Sequence, residues 1–336
     1  MTLHLTRTEE NAAEIDALAD SLAPYGGGRV GLSGVLDDLD RRARRTLAPG
    51  LAVRRALTWS RADNADPTWY PQGITTSHGT DAGSDSDRDL LLVSWYSKTG
   101  WGSRITVLDL ASRRYRHVLL VEPTVIDGRA GVQPVAVHAG GLVWQAGNVH
   151  VAATRRGFLT CRLDDLLHDP SNRHGAPYLL PVRFAYRAAA EEGTELLRYS
   201  FLALDRSGPA PALVVGEYAR RDQTRRLVRF ALEEESGLLA ADPSGISRAL
   251  EVSEEGERQM QGVAVVGGTH YVTVSHGPWR PGTVLAGRPG SFRRHRWATP
   301  MGPEDLTYHP PTDRLWSVTE HPHRRWVFAM RRPSGA

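Results

Sequence analysis

Cysteine is almost absent from this chain: Cys161 stands alone among 336 residues, so no disulfide can form within one molecule. No apolar run approaches the ~20 residues that a membrane-spanning helix needs. Asn-x-Ser/Thr does not occur, and residues 1–20, with Glu9, Glu10, Glu14, Asp16 and Asp20, lack the apolar stretch of a secretion signal. These absences lead to the expectation of a cytoplasmic protein with no membrane partner. An excess of one charge is also missing. The 41 basic and 38 acidic side chains leave a net charge of +3, too little to argue for a nucleic-acid partner. Arginine doublets such as Arg54-Arg55, Arg113-Arg114 and Arg155-Arg156 read as solvated strand faces or turns.

Familiar catalytic strings are lacking too. There is no Gly-x-Ser-x-Gly, no His-Glu-x-x-His, no phosphate loop and no Cys-x-x-Cys. The acidic stretch Asp81, Asp85, Asp87 and Asp89 lacks the Gly and the closing Glu of a calcium-binding EF-hand loop, and reads as a solvated turn.

What is present is short β runs in quantity, separated by turns drawn from 33 Gly and 21 Pro. The first 50 residues differ. Ile15, Leu18 and Leu22 fall on one face of a helix expected over residues 9–23 and stopped by Pro24. A second helix is expected from Ser33 to Leu47, with Asp37, Asp38 and Asp40 early and Arg41 to Arg45 late, as the helix dipole prefers.

From residue 51 on, strand pairs open at Gln72-Gly73, His138-Ala139-Gly140-Gly141, residues 198–204, Gln261-Gly262 and Glu304-Asp305. Each pair is followed by a third strand and often a fourth. Four strands in about 40–65 residues is the length of one propeller blade. The expectation is an all-β, five-bladed β-propeller with a short N-terminal helical extension. Residues 1–50 would form the extension and residues 51–336 the propeller. The last unit has only three strands of its own, so residues 51–59 are expected to complete it and remove the open sheet edge.

In such a ring the residues just before each first strand sit at one mouth of a central channel. They are Gln72, His138, Tyr199-Ser200, Gln261 and Glu304-Asp305. His138 with Glu304 or Asp305 is the expected acid–base pair, with Gln72, Gln261 and Ser200 orienting a substrate. Because neighbouring side chains of a strand point to opposite sides, only one of Glu304 and Asp305 should face the channel, and Glu304 is favoured. No cofactor is expected. A Ca²⁺ or Mg²⁺ ion in the channel is the variant that carboxylate and amide oxygens would suit.

Loops joining second to third strands open on the same mouth. They bring Trp95, Tyr96, Lys98 and Trp101, then Arg155 and Arg156, then Glu217, Arg220 and Arg221. The last two add His276, Trp279 and Arg280, and Glu320, His321, His323 and Arg324. Aromatic, His and Arg side chains on one face suit a small anionic or aromatic ligand. Trp144 and Trp316, deeper in strands, read as core.

Four stretches carry a resemblance: Tyr70-Pro-Gln-Gly-Ile-Thr-Thr-Ser77, Tyr115-Arg-His-Val-Leu-Leu-Val-Glu-Pro123, His138-Ala-Gly-Gly-Leu-Val-Trp144 and Glu304-Asp-Leu-Thr-Tyr308. Through them most of the chain after residue 60 resembles a group of uncharacterised actinobacterial β-propeller-like proteins, often secreted. The resemblance implies the fold and no particular activity; a cytoplasmic member would fit specialised metabolism. Two functions follow as expectations. The first is a propeller hydrolase, lyase or cyclase doing acid–base chemistry at the channel mouth. The alternative is a non-catalytic propeller that binds a sugar, peptide or protein partner.

Overall fold

A computed structural model describes residues 3–78 and 88–334. Asp81, Asp85 and Asp87 of the acidic stretch lie outside the described residues. Among the described residues no helix is long and apolar enough to cross a membrane.

The architecture is all-β, and its repeating unit is an antiparallel meander. The first joins Trp69–Thr76, Leu90–Ser97, Ser103–Asp109 and Arg114–Ile126. The second joins Leu142–Gln145, Asn148–Ala152, Gly157–Arg162 and Tyr178–Ala190. Phe201–Asp205, Ala212–Gly216, Leu227–Ala231 and Ile246–Ser253 make the third. Met260–Val266, Thr269–Val274, Pro281–Gly287 and Arg293–Met301 make the fourth. The last has Pro303–His309, Arg314–Thr319 and Trp326–Arg331 from the C-terminal end. Its next strand is Val53–Thr58, from the other end of the chain, with Trp326 opposite Thr58 and Phe328 opposite Ala56.

Strand alternation explains how these meanders pack. In Leu90–Ser97, Leu90 and Leu92 face the second meander against Trp144, Val149 and Val151, while Leu91 and Val93 face the last one against Trp316, Val318 and Val327. Leu202 likewise joins a cluster with Phe158 and Phe184 of the second meander, and its neighbours Phe201 and Ala203 join Val263 and Val272 of the fourth. Ala264 turns to Leu306 and Leu315. Five apolar clusters are thus each shared by two successive meanders, and a sixth packs Leu18 and Leu22 on Val121, Leu167 and Leu179. The layer between last and first closes the circuit, and the first strands of the meanders pack on one another in the same cyclic order.

The N-terminal segment departs from a purely helical extension. Ala12–Leu22 is a helix that buries Ile15, Leu18 and Leu22. Ahead of it, Leu3–Arg7 is a strand that pairs with both Tyr178–Ala190 and Ile246–Ser253, tying the outer edges of the second and third meanders together. The expected helix over residues 33–47 is reduced to Gly31–Asp37, followed by the strands Arg41–Arg42 and Arg44–Thr46. Beyond Leu39 the segment has no apolar stripe for a helix. Only Ala43 is buried between exposed arginines, a period of two that suits strand pairing with Arg114–Ile126 and Val53–Thr58.

Removing residues 1–60 should leave 61–336 unable to fold, because it strips the closing strand from Trp326–Arg331 and opens an apolar layer. Removing only residues 1–47 should also cost stability, since it frees two outer edges. Circular dichroism and thermal melting of both fragments check this; a cooperatively melting 61–336 fragment would contradict the closure.

Candidate active site

The inner strands begin irregularly, and the irregularities carry the site. Register shifts lie between Pro71 and Ile74, between Met260 and Gly262, and between Pro303 and Leu306. These are β-bulges, which re-aim side chains at the end of a strand. Gln72, Gln261, Glu304 and Asp305 sit on them. As expected, only Glu304 of the two acids lines the cleft, although both stand on the bulge at Pro303. Glu304 lines the mouth, and Asp305 reaches across the ring beneath it.

The mouth is a cleft of about 770 Å³, within the range of small-molecule sites. Gln72, His138, Ser200, Gln261 and Glu304 line it from the inner strands. Tyr96, Lys98, Arg155, Arg220, Glu320 and His321 line it from the loops after the second strands. Tyr218 and Gln223 were not singled out from the sequence. Tyr218 could have been, because it stands two residues past its second strand, as His321 does.

Glu304 is buried, with Gln261 Nε2 3.5 Å from its Oε1. Burial, then the charges of Glu320 and Asp305, push its pKa well above the ordinary value of 4.5. Glu320 is raised as well, by burial, while Lys98 and the Gln72 amide, 3.5 Å from its Oε2, act against the rise. Burial and both acids raise the Tyr96 phenol. The cleft floor thus sets two carboxyl groups, both with raised pKa values, beside one another.

His138 does not form the expected pair with Glu304: no ion pair joins them. Its ring packs on Tyr96, centroids 4.4 Å apart. That partial burial, and then the Lys98 ammonium, lower its pKa. The carboxyl partner of Glu304 is Glu320.

Asp305 is wholly buried. Its Oδ2 accepts from the backbone N–H of Ile74 at 3.0 Å and of Leu142 at 3.3 Å, so one side chain stitches the last meander to the first and second. Glycine makes room for it: a Cβ on Gly262 would lie 2.4 Å from Asp305 Cα. Burial raises its pKa well above 3.8. Asp305 is therefore a structural clamp below the cleft and does not line it. Asp305→Ala should destabilise the fold by about 1–3 kcal/mol by stranding two buried N–H groups, and Asp305→Asn by less, because its carbonyl still accepts. Denaturant unfolding of both variants checks the order.

Several other expected site residues lie elsewhere. Trp95 is buried between the first and last meanders, its Nε1 donating to Thr106 Oγ1 at 2.7 Å, because alternation turns it inward and Tyr96 outward. Glu217 is buried in an ion pair with Arg226, 2.9 Å apart. His276 bonds Thr283 Oγ1 at 2.9 Å outside the lining. Trp101, Trp279 and Arg280 are exposed beyond the cleft, and Arg324 lies over Trp279. Trp144 and Trp316 are core.

Charge is distributed unevenly over the cleft. Lys98, Arg155 and Arg220 are exposed on its rim, and none is ion-paired with a carboxylate among the described residues. Lys98 Nζ lies 3.5 Å from the Tyr70 ring centroid, a cation–π contact that leaves its charge available. Glu304 and Glu320 are the carboxyl groups that face this positive rim across the cleft.

No protein-family model matches the chain, and no curated relative does. Among solved structures it is similar to a gluconolactonase from Xanthomonas campestris, at 14% identity over 88% of this chain and 91% of that one, with a TM-score of 0.39. It is also similar to a luciferin-regenerating enzyme, at 9% identity over 79% and 92%, with a TM-score of 0.38. The β-propeller domain of Cps50 (Swd1) from Myceliophteria thermophila matches at 11% identity over 78% and 96%, TM-score 0.38. Likenesses at this level assign neither an activity nor a ligand to the chain.

Proposed function

We propose that the circuit of meanders is a five-bladed β-propeller and that its cleft is the active site of a hydrolase, lyase or cyclase acting on a small anionic molecule. The observation that carries this reading is the Glu304 carboxyl group: buried, its pKa pushed well above the ordinary carboxylate value, and open to a cleft rimmed by cations that make no ion pair among the described residues. A carboxylic acid neutral at pH 7 can donate its proton to a leaving-group or carbonyl oxygen. Glu320, nearer the surface, is the group that takes a proton from the attacking water or from carbon. Lys98, Arg155 and Arg220 hold the anionic end of the substrate. Gln72 and Gln261, tied to the two acids, fix the directions in which those acids point.

A second reading rests on Trp101 and Trp279, which stand exposed outside the cleft where a partner could cover them. In it the protein binds a sugar, peptide or protein and does no chemistry. A panel of anionic esters, lactones and glycosides, assayed with wild type and Glu304→Gln, separates the two. Turnover lost in the variant supports the enzyme. Equal turnover in both proteins, or anion binding without any turnover and unchanged in the variant, overturns it.

A further inference from the structure

The inner strands also have an opposite end, away from the cleft, and three metal-ligating side chains meet there. His78 lies just after Trp69–Thr76, Asp89 just before Leu90–Ser97, and His309 at the end of Pro303–His309. Chain reversal between the first two strands and the packing of the last meander on the first bring them together. Their ligand atoms lie within 4.8 Å of one another. Asp89 Oδ1 is 3.2 Å from His78 Nε2 and 2.7 Å from His309 Nε2. The two imidazoles stand nearly perpendicular, centroids 4.7 Å apart, so both nitrogens address the same carboxylate oxygen.

Two further features separate this cluster from a chance contact. His309 is buried, and its other nitrogen, Nδ1, is 2.8 Å from Thr312 Oγ1. A partner on the far nitrogen is what orients a metal-bound imidazole. His78, in contrast, lines a separate cavity of about 190 Å³ with Thr75, Thr76, Trp144 and Tyr308, so the cluster has an open side.

We propose that His78, Asp89 and His309 bind a divalent transition-metal ion of the zinc class. Two imidazoles, one carboxylate and an open position form a donor set that such ions take. Bonds of ~2.0–2.1 Å in a tetrahedral site put ligand atoms about 3.3 Å apart. The His78–Asp89 pair already has that separation, the His309–Asp89 pair has to open by about half an ångström, and the two imidazole nitrogens, within 4.8 Å of each other, have to close to the same spacing. Each imidazole binds the ion as the tautomer with a free Nε2 lone pair. His309 Nδ1–H then donates to Thr312 Oγ1.

The site is independent of the cleft, so its test does not depend on the chemistry there. Metal-stripped full-length protein is titrated with zinc chloride by calorimetry, and with cobalt(II) while visible ligand-field absorption is recorded. Wild type should bind one equivalent whose affinity falls at least about tenfold in His78→Ala and in Asp89→Asn. The cobalt spectrum should disappear with it. His78 is partly exposed, so its variant should keep the melting temperature of metal-free wild type, which separates lost binding from lost folding. No saturable zinc binding, or binding unchanged by both substitutions, overturns the proposal and leaves the cluster as a hydrogen-bonded clasp.

Discussion

Glu304→Gln should lower kcat/KM by about 10²–10⁴-fold, the range that one positioned general acid contributes. Glutamine has the shape of the protonated acid and keeps a carbonyl oxygen for Gln261, but cannot give up a proton. The substitution therefore isolates chemistry from packing. Wild-type activity should fall as pH rises through the raised pKa of Glu304, and the variant should lose that limb of the profile.

Stability should follow the same group. A buried acid with a raised native pKa stabilises the fold fully below its unfolded value near 4.5. That contribution is lost as pH rises through the native value. Melting temperatures of wild type should thus drop relative to Glu304→Gln on going from pH 5 to pH 8. A constant difference between the two proteins would show that Glu304 is ionised throughout.

Glu217→Ala should cost about 3–5 kcal/mol, as breaking a buried ion pair from one side does. Glu217 and Arg226 are both fully buried. Glu217 accepts from Arg226 Nη2 at 2.9 Å, and from the backbone N–H of Arg226 at 2.9 Å and of Arg198 at 3.1 Å. Arg226 Nη1 and Nη2 still donate to the Glu195 and Leu196 carbonyls, so the cation cannot leave when its partner is removed. The variant is left with a buried uncompensated charge and two stranded amides. Glu217→Gln should fall between, and the double replacement of Glu217 and Arg226 by apolar residues should recover much of the loss. Urea unfolding of the three proteins decides; a loss under about 1 kcal/mol for Glu217→Ala would mean that water reaches the pair.

What the sequence made legible follows from periods and positions. The unbroken apolar run in residues 90–93 states that both faces of the strand are packed, and the layers on either side are those two faces. The polar residue near the start of an inner strand, as at Gln72, Gln261 and Glu304, marks the cleft, because that end of the strand lies at its mouth. Several details depended on contacts that no local pattern encodes. Glu217 looks like a rim acid until Arg226 is seen to fold back on it. Trp95 and Tyr96 are exchanged by a shift of one residue, and the phase was fixed only by the pairing of Leu90–Ser97. That Asp305 bonds the backbone of two other meanders at once depends on contacts that the alternation rule does not encode. Leu3–Arg7 is too short and too polar to announce itself as a strand, and gains its order from two partners about 180 and 240 residues away.

The central claim is that Glu304 carries a proton at neutral pH inside the cleft. Infrared difference spectroscopy between wild type and Glu304→Gln measures this directly, with Asp305→Asn as the control for the neighbouring acid. The account predicts a protonated carboxyl C=O band at pH 7 that is absent from Glu304→Gln, present in Asp305→Asn, and lost only at higher pH. A Glu304 that shows only the carboxylate bands at pH 7 would contradict it.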